Sequence, residues 1–227
     1  MSGFFWGALP YIAFTILIVG TAYRYCTGER GWTTKSSEFL AKKSLRVPIW
    51  IFHLGLVLAF GGHVIGILVP KNITDGINIT EEAYHIIALS GGIPAGILFL
   101  GGFFMLMRRR FDNPRMKPNT SISDGVIYFV LFLTLITGFG GTLLNAIGLL
   151  GDGWNYRECI SPWFRSVLAM NPDVSLMADV PIIFKVHVIL AMVTMICFPF
   201  TRLTHCISGL TAPLKLFTRS SIIYRRK

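Results

Sequence analysis

Apolar residues are gathered into five long runs, which polar and charged segments separate. A helix needs about 20 apolar residues to cross the hydrocarbon layer of a membrane, and each run meets that length. The pattern predicts transmembrane helices over residues 4–23, 48–69, 86–107, 124–150 and 181–203. The sequence therefore predicts an all-α integral membrane protein, with one membrane domain of five transmembrane helices and a polar tail over residues 206–227.

The fourth run is longer than a membrane span requires, and its second half is rich in glycine. This half reads TGFGGTLLNAIGLLG and begins at Thr137. Glycine destabilises the interior of a helix, so we expect the fourth helix to be broken there. The pattern does not determine the residue at which this helix ends on the outer side.

Composition excludes several classes of protein. Of the 227 residues, 53% are hydrophobic and only 14% are charged, whereas soluble domains carry about 25% charged residues. A soluble enzyme, a disordered chain and a disulfide-rich toxin are therefore excluded. The four cysteines form no CxxC pair, so the sequence indicates neither a zinc site nor, without CxxCH, a covalently attached haem.

The net charge of +10 follows membrane topology. Seventeen of the 21 Lys and Arg residues lie in the first connection, the third connection and the C-terminal tail. Basic residues are concentrated on the cytoplasmic side of membrane proteins. The distribution therefore predicts an outer N-terminus and a cytoplasmic C-terminus in the inner (cytoplasmic) membrane of the cell. Orientation in the lipid bilayer accounts for the excess of basic residues, so nucleic acid is not expected as a partner.

The longest outer connection, residues 151–180, contains one further apolar stretch. We expect a short helix around WFRSVLAM that lies in the membrane interface. Trp154 and Trp163 are predicted at the level of the lipid headgroups, where tryptophan is enriched.

Four of the five histidines lie in or at the ends of two predicted spans. His53 and His63 belong to the second span, and His187 and His205 to the fifth. A single histidine in a membrane usually makes an interhelical hydrogen bond, but ionisable side chains there are costly and usually functional. Two helices that each offer two imidazoles have the ligands that two bis-histidine haems require.

The spacing of the histidines indicates how they pair. His187 and His205 are five helical turns apart, about 27 Å, whereas His53 and His63 are about 15 Å apart. The two spans run antiparallel, so His53 should pair with His205 near the inside and His63 with His187 nearer the outside. Because these two separations differ by about 12 Å, the two histidines of each pair would be displaced from each other by about 6 Å along the helix axis. A kink at Pro199 would absorb part of it.

Small and basic residues surround the predicted ligands, although each has a second explanation. The second and third spans carry glycines that would leave room for a macrocycle or serve ordinary helix packing. They are Gly55, Gly62, Gly66, Gly91, Gly92, Gly96, Gly101 and Gly102. Arg202 and the Arg108–Arg110 cluster lie where haem propionates would need cations, and the positive-inside rule explains them equally well.

Two longer motifs carry a family resemblance. The second span contains FGGHVIGILVP from Phe60 to Pro70, and the fifth region contains KVH from Lys185 and FPFTRLTH from Phe198 to His205. Together with the chain length, the five spans and the orientation, these motifs resemble the respiratory nitrate reductase gamma subunit family. The resemblance covers nearly the whole chain.

The resemblance implies a dihaem cytochrome b that oxidises quinol near the outer face. Electrons would pass to an iron–sulfur beta subunit and then to a molybdenum alpha subunit, which reduces nitrate to nitrite in anaerobic respiration or nitrate assimilation. Carried over by position, His53 and His205 would ligate the inner of two b haems, and His63 and His187 the outer one.

The quinol site is expected near the outer haem, around Gly62, His63 and His85. His85 occupies a position where the family carries a lysine that is proposed to bind quinol. His85 is therefore a candidate quinol ligand, and the alternative is a plain interface histidine.

Two other functions are consistent with the residues. The same haem motifs would serve a quinone-linked subunit of a sulfur-cycle or heterodisulfide-reductase-type complex. A more remote alternative is a transporter that uses histidines for metal ions or protons. For a docked iron–sulfur subunit, the basic tail residues Arg219 to Lys227 are candidate contacts, with binding of anionic lipid as the alternative.

Overall fold

The structure is a computed structural model that describes residues 2–27, 42–114, 116–150 and 154–208. Its described residues form seven complete α-helices and a further helical stretch at residues 205–208, and they contain no strand. The helices are α1 (Phe4–Thr27, with a π-helical first turn at Phe4–Ala8), α2 (Lys42–His63, continued by a π-turn at Val64–Leu68), α3 (Lys71–Gly76), α4 (Glu81–Asp112), α5 (Ile122–Ala146), α6 (Ile160–Leu168) and α7 (Ile182–Cys197).

Five of these helices are long and apolar enough to cross a membrane, which confirms the predicted all-α membrane architecture. They cover Phe4–Thr27, Ser44–Leu68, Glu81–Asp112, Ile122–Ala146 and Ile182–Phe200. We call the end of the bundle that carries Arg108–Arg110 the inner end, following the predicted orientation. Of the predicted tail, only residues 206–208 lie within the described residues.

The third span is longer than its hydrophobic run. Helix α4 begins at Glu81, where the Thr80 hydroxyl accepts a hydrogen bond from the Ala83 amide at 3.2 Å. It has 32 residues, or about 48 Å, so its charged ends extend beyond a hydrocarbon core of about 30 Å. His85 consequently lies just over one turn inside the helix rather than at its start.

The expected glycine break in the fourth span is wrong. Helix α5 continues through Thr137–Gly141 and ends at Ala146, before the predicted boundary at residue 150. A turn follows, with Gly148 in the left-handed region at φ 73°. The glycines are tolerated because neighbouring side chains pack directly on the helix backbone. A Cβ at Gly141, for example, would lie 2.9 Å from the ring of Phe184.

The fifth span is also not one continuous helix. Helix α7 ends at Cys197, and two 3₁₀ turns at Phe198–Phe200 and Arg202–Thr204 continue the chain to His205. Pro199 lies in the first of these turns and is fully buried. The uniform helical rise assumed between His187 and His205 therefore does not apply.

The long helices pack in the spatial order α2, α4, α5, α7, α1. The contact between α2 and α4 is close because glycine faces backbone on both helices. A Cβ at Gly102 would lie 2.5 Å from the Phe52 amide nitrogen, and one at Gly55 would overlap the Phe99 backbone. These glycines therefore serve helix packing, which was the second of their two expected roles.

The outer loop covers the end of α2 through helix α6. The hydroxyl of Ser161 donates to the Gly66 carbonyl at 2.9 Å, and Arg165 Nη1 donates to the Ile67 carbonyl at 2.9 Å. These carbonyls belong to the π-turn, so α6 satisfies backbone groups at the terminus of α2.

Trp163 on α6 is buried inside the protein, and its position at the headgroup level stays a prediction. Its side chain is only 2% exposed and packs edge-to-face on Trp6, with ring centroids 5.8 Å apart. Its indole nitrogen donates to the Trp6 carbonyl at 2.9 Å. Trp163 therefore fastens the outer loop to α1, while Trp154 stacks on Phe184 of α7 at 4.5 Å.

Candidate haem-ligand pairs

The four membrane histidines form two facing pairs. The ring centroids of His53 and His205 are 6.1 Å apart, and those of His63 and His187 are 6.0 Å apart. These are the pairs that antiparallel α2 and α7 predict. Helix α7 ends at Cys197, and the chain that follows places His205 opposite His53, where a straight helix would have left an offset.

All four histidines present their Nδ1 atoms to a backbone carbonyl. The contacts are His53 to Ile49 at 2.8 Å, His63 to Ala59 at 2.6 Å, His187 to Thr134 at 3.0 Å and His205 to Arg202 at 2.7 Å. A carbonyl can only accept, so each Nδ1 carries the proton. Nε2 then bears the lone pair, which is the tautomer of a metal-ligating histidine.

The ring separations fit two axial ligands on one iron. Imidazole nitrogen binds a first-row metal ion at about 2 Å, so two imidazoles on opposite sides of one ion place their ring centres about 6 Å apart. Both pairs have this separation. The residues therefore fit bis-histidine ligation of haem iron, with His53 and His205 at one site and His63 and His187 at the other.

The outer pair is held by α5 as well as by its own helices. Nδ1 of His187 contacts the Thr134 carbonyl and lies 3.3 Å from the Thr137 hydroxyl. A Cβ at Gly138 would lie 2.6 Å from Cε1 of His187. These three residues are not among the predicted site residues, although the TGFGG motif is a signal for them. Instead of breaking the helix, its first glycine accommodates a histidine ring.

The inner pair adjoins a buried charge cluster. Nε of Arg202 donates to Oδ1 of Asp124 at 2.5 Å, and Nη2 of Arg202 donates to the Asn119 carbonyl at 2.5 Å. Asp124 is 1% exposed and also lies 3.5 Å from Nη2 of Arg110. Arg202 lies at the inner end as expected, but these two nitrogens face Asp124 and Asn119, and its propionate role stays a prediction.

His85 and Gly62 are less closely connected with the pairs. The His85 side chain is exposed near the outer end of α4. Within the described ranges it makes no hydrogen bond or ring contact with either pair. Gly62 directly precedes His63, and an added Cβ there would meet no described atom within 4 Å. Their assignment to a quinol site stays a prediction.

A polar cluster beside His85 was not anticipated. Arg157 is buried, and its guanidinium donates to Glu81 at 2.9 Å and to Thr74 at 2.7 Å. The guanidinium also lies 3.8 Å from the ring centre of Tyr84, whose hydroxyl is 3.3 Å from that of Tyr156. Burial raises the pKa of Tyr156. The cluster fastens α3 and the outer loop to the first turns of α4.

The comparisons with known proteins agree over the whole chain. A family model described as "Nitrate reductase gamma subunit" matches residues 2–227. The chain is 42% identical to the nitrate reductase gamma chain of Bacillus subtilis, and the match covers 100% of both chains. It is 29% identical to the respiratory nitrate reductase 1 gamma chain of Escherichia coli, over 100% of this chain and 98% of the relative.

A third relative is longer than this chain. The nitrate reductase-like protein NarX of Mycobacterium tuberculosis is 37% identical over 227 residues, which cover 100% of this chain and 34% of that protein. The chain belongs to the nitrate reductase gamma subunit family, the haem-binding membrane cytochrome b subunits of an oxidoreductase complex whose nitrate-reducing activity lies on other subunits.

Proposed function

We propose that this chain binds two b haems in series between the outer and inner ends of the bundle. His53 and His205 would hold the iron of the inner haem, and His63 and His187 would hold that of the outer haem. The strongest support comes from the two pairs of facing imidazoles, whose ring centroids are 6.1 and 6.0 Å apart. In addition, all four Nδ1 atoms are hydrogen-bonded to backbone carbonyls.

Backbone carbonyls keep each ligand in one tautomer and one orientation. The carbonyls of Ile49 and Ala59 hold His53 and His63 from one turn earlier on α2, and those of Thr134 and Arg202 hold the two histidines opposite. A carbonyl partner also makes the ligating nitrogen more basic. Bound haem supplies reversible one-electron transfer at its iron, and the protein supplies ligation, spacing and electrostatics.

Quinol is the proposed electron donor at the outer end. Oxidation of a quinol releases two electrons and two protons, so the site needs a proton acceptor open to the outer side. His85 is an exposed imidazole at that end of α4, and Gly62 adjoins the outer ligand His63. We assign proton acceptance to His85 and access to the outer haem to the segment around Gly62.

The proposed electron acceptors lie at the inner end. In this orientation the inner pair faces the cytoplasm, where an iron–sulfur beta subunit would receive electrons and pass them to a molybdenum alpha subunit that reduces nitrate. Electrons would thus cross the cell membrane inward while protons stay outside. Each charge moved is worth about 2.3 kcal/mol per 100 mV, so turnover would contribute to the membrane potential. The candidate docking residues Arg219 to Lys227 lie outside the described residues.

The proposal is tested by counting haems and supplying quinol. The complex is purified in detergent, and its b haem is quantified per gamma chain from the reduced-minus-oxidised absorption spectrum. We expect two b haems per chain, both reduced when a water-soluble quinol analogue is added. One haem per chain would contradict the double ligation, and haems that only dithionite reduces would contradict quinol as the donor.

A further inference from the structure

Asp124 joins the inner ends of α4 and α5 to the segment that follows α7. It is the third residue of α5, where its carboxylate accepts from the Ser121 amide at 2.9 Å in a capping box. The same carboxylate faces Arg110 on α4 at 3.5 Å and Arg202 beyond α7 at 2.5 Å. Asp124 is 1% exposed and Arg110 is 7% exposed. A buried carboxylate of this kind is stable only when it is paired, and removing it leaves its partners uncompensated.

Arg202 connects this cluster to the inner histidine. Its backbone carbonyl accepts from Nδ1 of His205 at 2.7 Å, while its side chain is held by Asp124 and the Asn119 carbonyl. Helix α7 has already ended at Cys197, and Arg202 lies in a 3₁₀ turn of three residues. The hydrogen-bond geometry of a 3₁₀ turn is poorer than that of an α-helix, so side-chain contacts outside the turn help to fix its position. The Arg202 side chain provides that anchor.

We propose that Asp124 is a positioning residue for His205. It holds the Arg202 guanidinium, which fixes the 3₁₀ turn and with it the carbonyl that orients the His205 ring towards His53. The inference rests on the proposed ligation of the inner haem by His53 and His205. Asp124 has no such connection to the outer pair, because His187 is held by Thr134 on the middle of α5.

The carboxylate also balances charge at the inner end. One buried carboxylate lies between two guanidinium groups, those of Arg110 and Arg202. An Asp124→Asn variant keeps the size and an acceptor oxygen but removes the negative charge that faces both guanidinium groups. Positive charge favours the reduced form of a nearby redox centre. The variant should therefore raise the midpoint potential of the inner haem and loosen the orientation of His205.

The test compares Asp124→Asn with Asp112→Asn in the assembled complex. Asp112 lies at the inner end of α4, pairs with Arg108 at 3.3 Å and has a 67% exposed side chain, so it matches the charge change without touching Arg202. The measurements are the potentiometric titration of both haems and their low-spin electron paramagnetic resonance (EPR) signals. We expect Asp124→Asn to shift the potential upward and alter the signal of the inner haem only. Asp112→Asn should leave both haems as in the wild type.

Two results would overturn the proposal. An inner haem with unchanged potential and unchanged signal in Asp124→Asn would show that Arg202 holds His205 without the carboxylate. Parallel loss of both haems would show a general role in folding. A His205→Ala variant separates this proposal from the ligation on which it rests. If His205→Ala retains both haems, the proposed ligation is wrong. If His205→Ala loses one haem but Asp124→Asn changes neither the potential nor the EPR signal, only the positioning role of Asp124 is overturned.

Discussion

The inner and outer histidine pairs have nearly the same ring separation but differ in what holds them. His53 and His205 are each held by a carbonyl three or four residues earlier in their own segment. In the outer pair, His187 is held by a different helix, through the Thr134 carbonyl of α5. The planes of the inner rings are nearly perpendicular at 82°, whereas those of the outer rings differ by 35°.

The difference shows two ways to build the same ligand set. The inner pair depends on the conformation of the segment between Cys197 and His205, which the ion pair of Arg202 with Asp124 fastens to the bundle. The outer pair depends on close packing between α5 and α7, with Gly138 against the His187 ring. Changes in helix packing should therefore affect the outer pair, and changes in the inner charge cluster should affect the inner pair.

The largest structural effect is expected from Gly138→Ala. The new methyl group would lie 2.6 Å from Cε1 of His187, and overpacking of this kind costs about 1–3 kcal/mol. We expect most of the outer haem to be lost and the inner haem to be retained, as measured by absorption spectra of purified complex. Gly140→Ala is the control, because its Cβ would lie an ordinary 3.5 Å from Ile183. Equal loss of both haems would contradict the separation of the two sites.

A large kinetic effect is expected from His85→Gln at the outer end. Removal of a general base costs about 10²–10⁴-fold, and both haems should remain because His85 ligates neither. Stopped-flow reduction by a quinol analogue measures the rate. Glu82→Gln, an exposed neighbour on the same helix, is the control. An unchanged rate would make His85 an ordinary interface histidine. The outer end would then have no assigned proton acceptor that distinguishes it from the inner end.

A spectroscopic difference should exist in the unmodified protein. Perpendicular axial imidazoles leave two d orbitals of low-spin ferric iron nearly degenerate, which increases the anisotropy of the EPR signal. The inner haem should therefore give the larger maximum g value of the two. Assignment is made with the His53→Ala and His63→Ala variants. The reverse order would show that the ring angles do not distinguish the sites as described.

The smallest effect is expected from Thr137→Val. The hydroxyl lies 3.3 Å from Nδ1 of His187, but that nitrogen keeps its contact with the Thr134 carbonyl at 3.0 Å. A hydrogen bond of this kind contributes about 1 kcal/mol. We expect the outer haem to be retained, with a small change of its midpoint potential and none at the inner haem. Loss of the outer haem would show that the hydroxyl, rather than the carbonyl, holds the ring.

The spans and the pairing could be predicted from local pattern. Apolar run length determines which segments cross a membrane, and antiparallel helices leave one consistent pairing for four histidines. The bounds were less predictable, because the charged ends of α4 extend its helix to Glu81 and Asp112. The end of α7 at Cys197 was anticipated only as a kink at Pro199.

Several residues at the sites could not be found from periodicity alone. Gly138, Asp124 and Arg157 act through contacts between segments far apart in the chain, and no local pattern encodes such partners. Asp124 was nevertheless a signal, since a lone acid at the start of a predicted span is costly unless it is paired. The burial of Trp163 could not be predicted from its residue type, because it depends on contact with Trp6 of α1.

Four single variants decide whether specific histidine pairs ligate two haems. His53, His63, His187 and His205 are each replaced by alanine, and the remaining b haem is measured by low-temperature absorption and EPR. We expect His53→Ala and His205→Ala to lose the same haem, and His63→Ala and His187→Ala to lose the other. Matching spectra for His53→Ala and His187→Ala, or retention of both haems in any of the four, would contradict it.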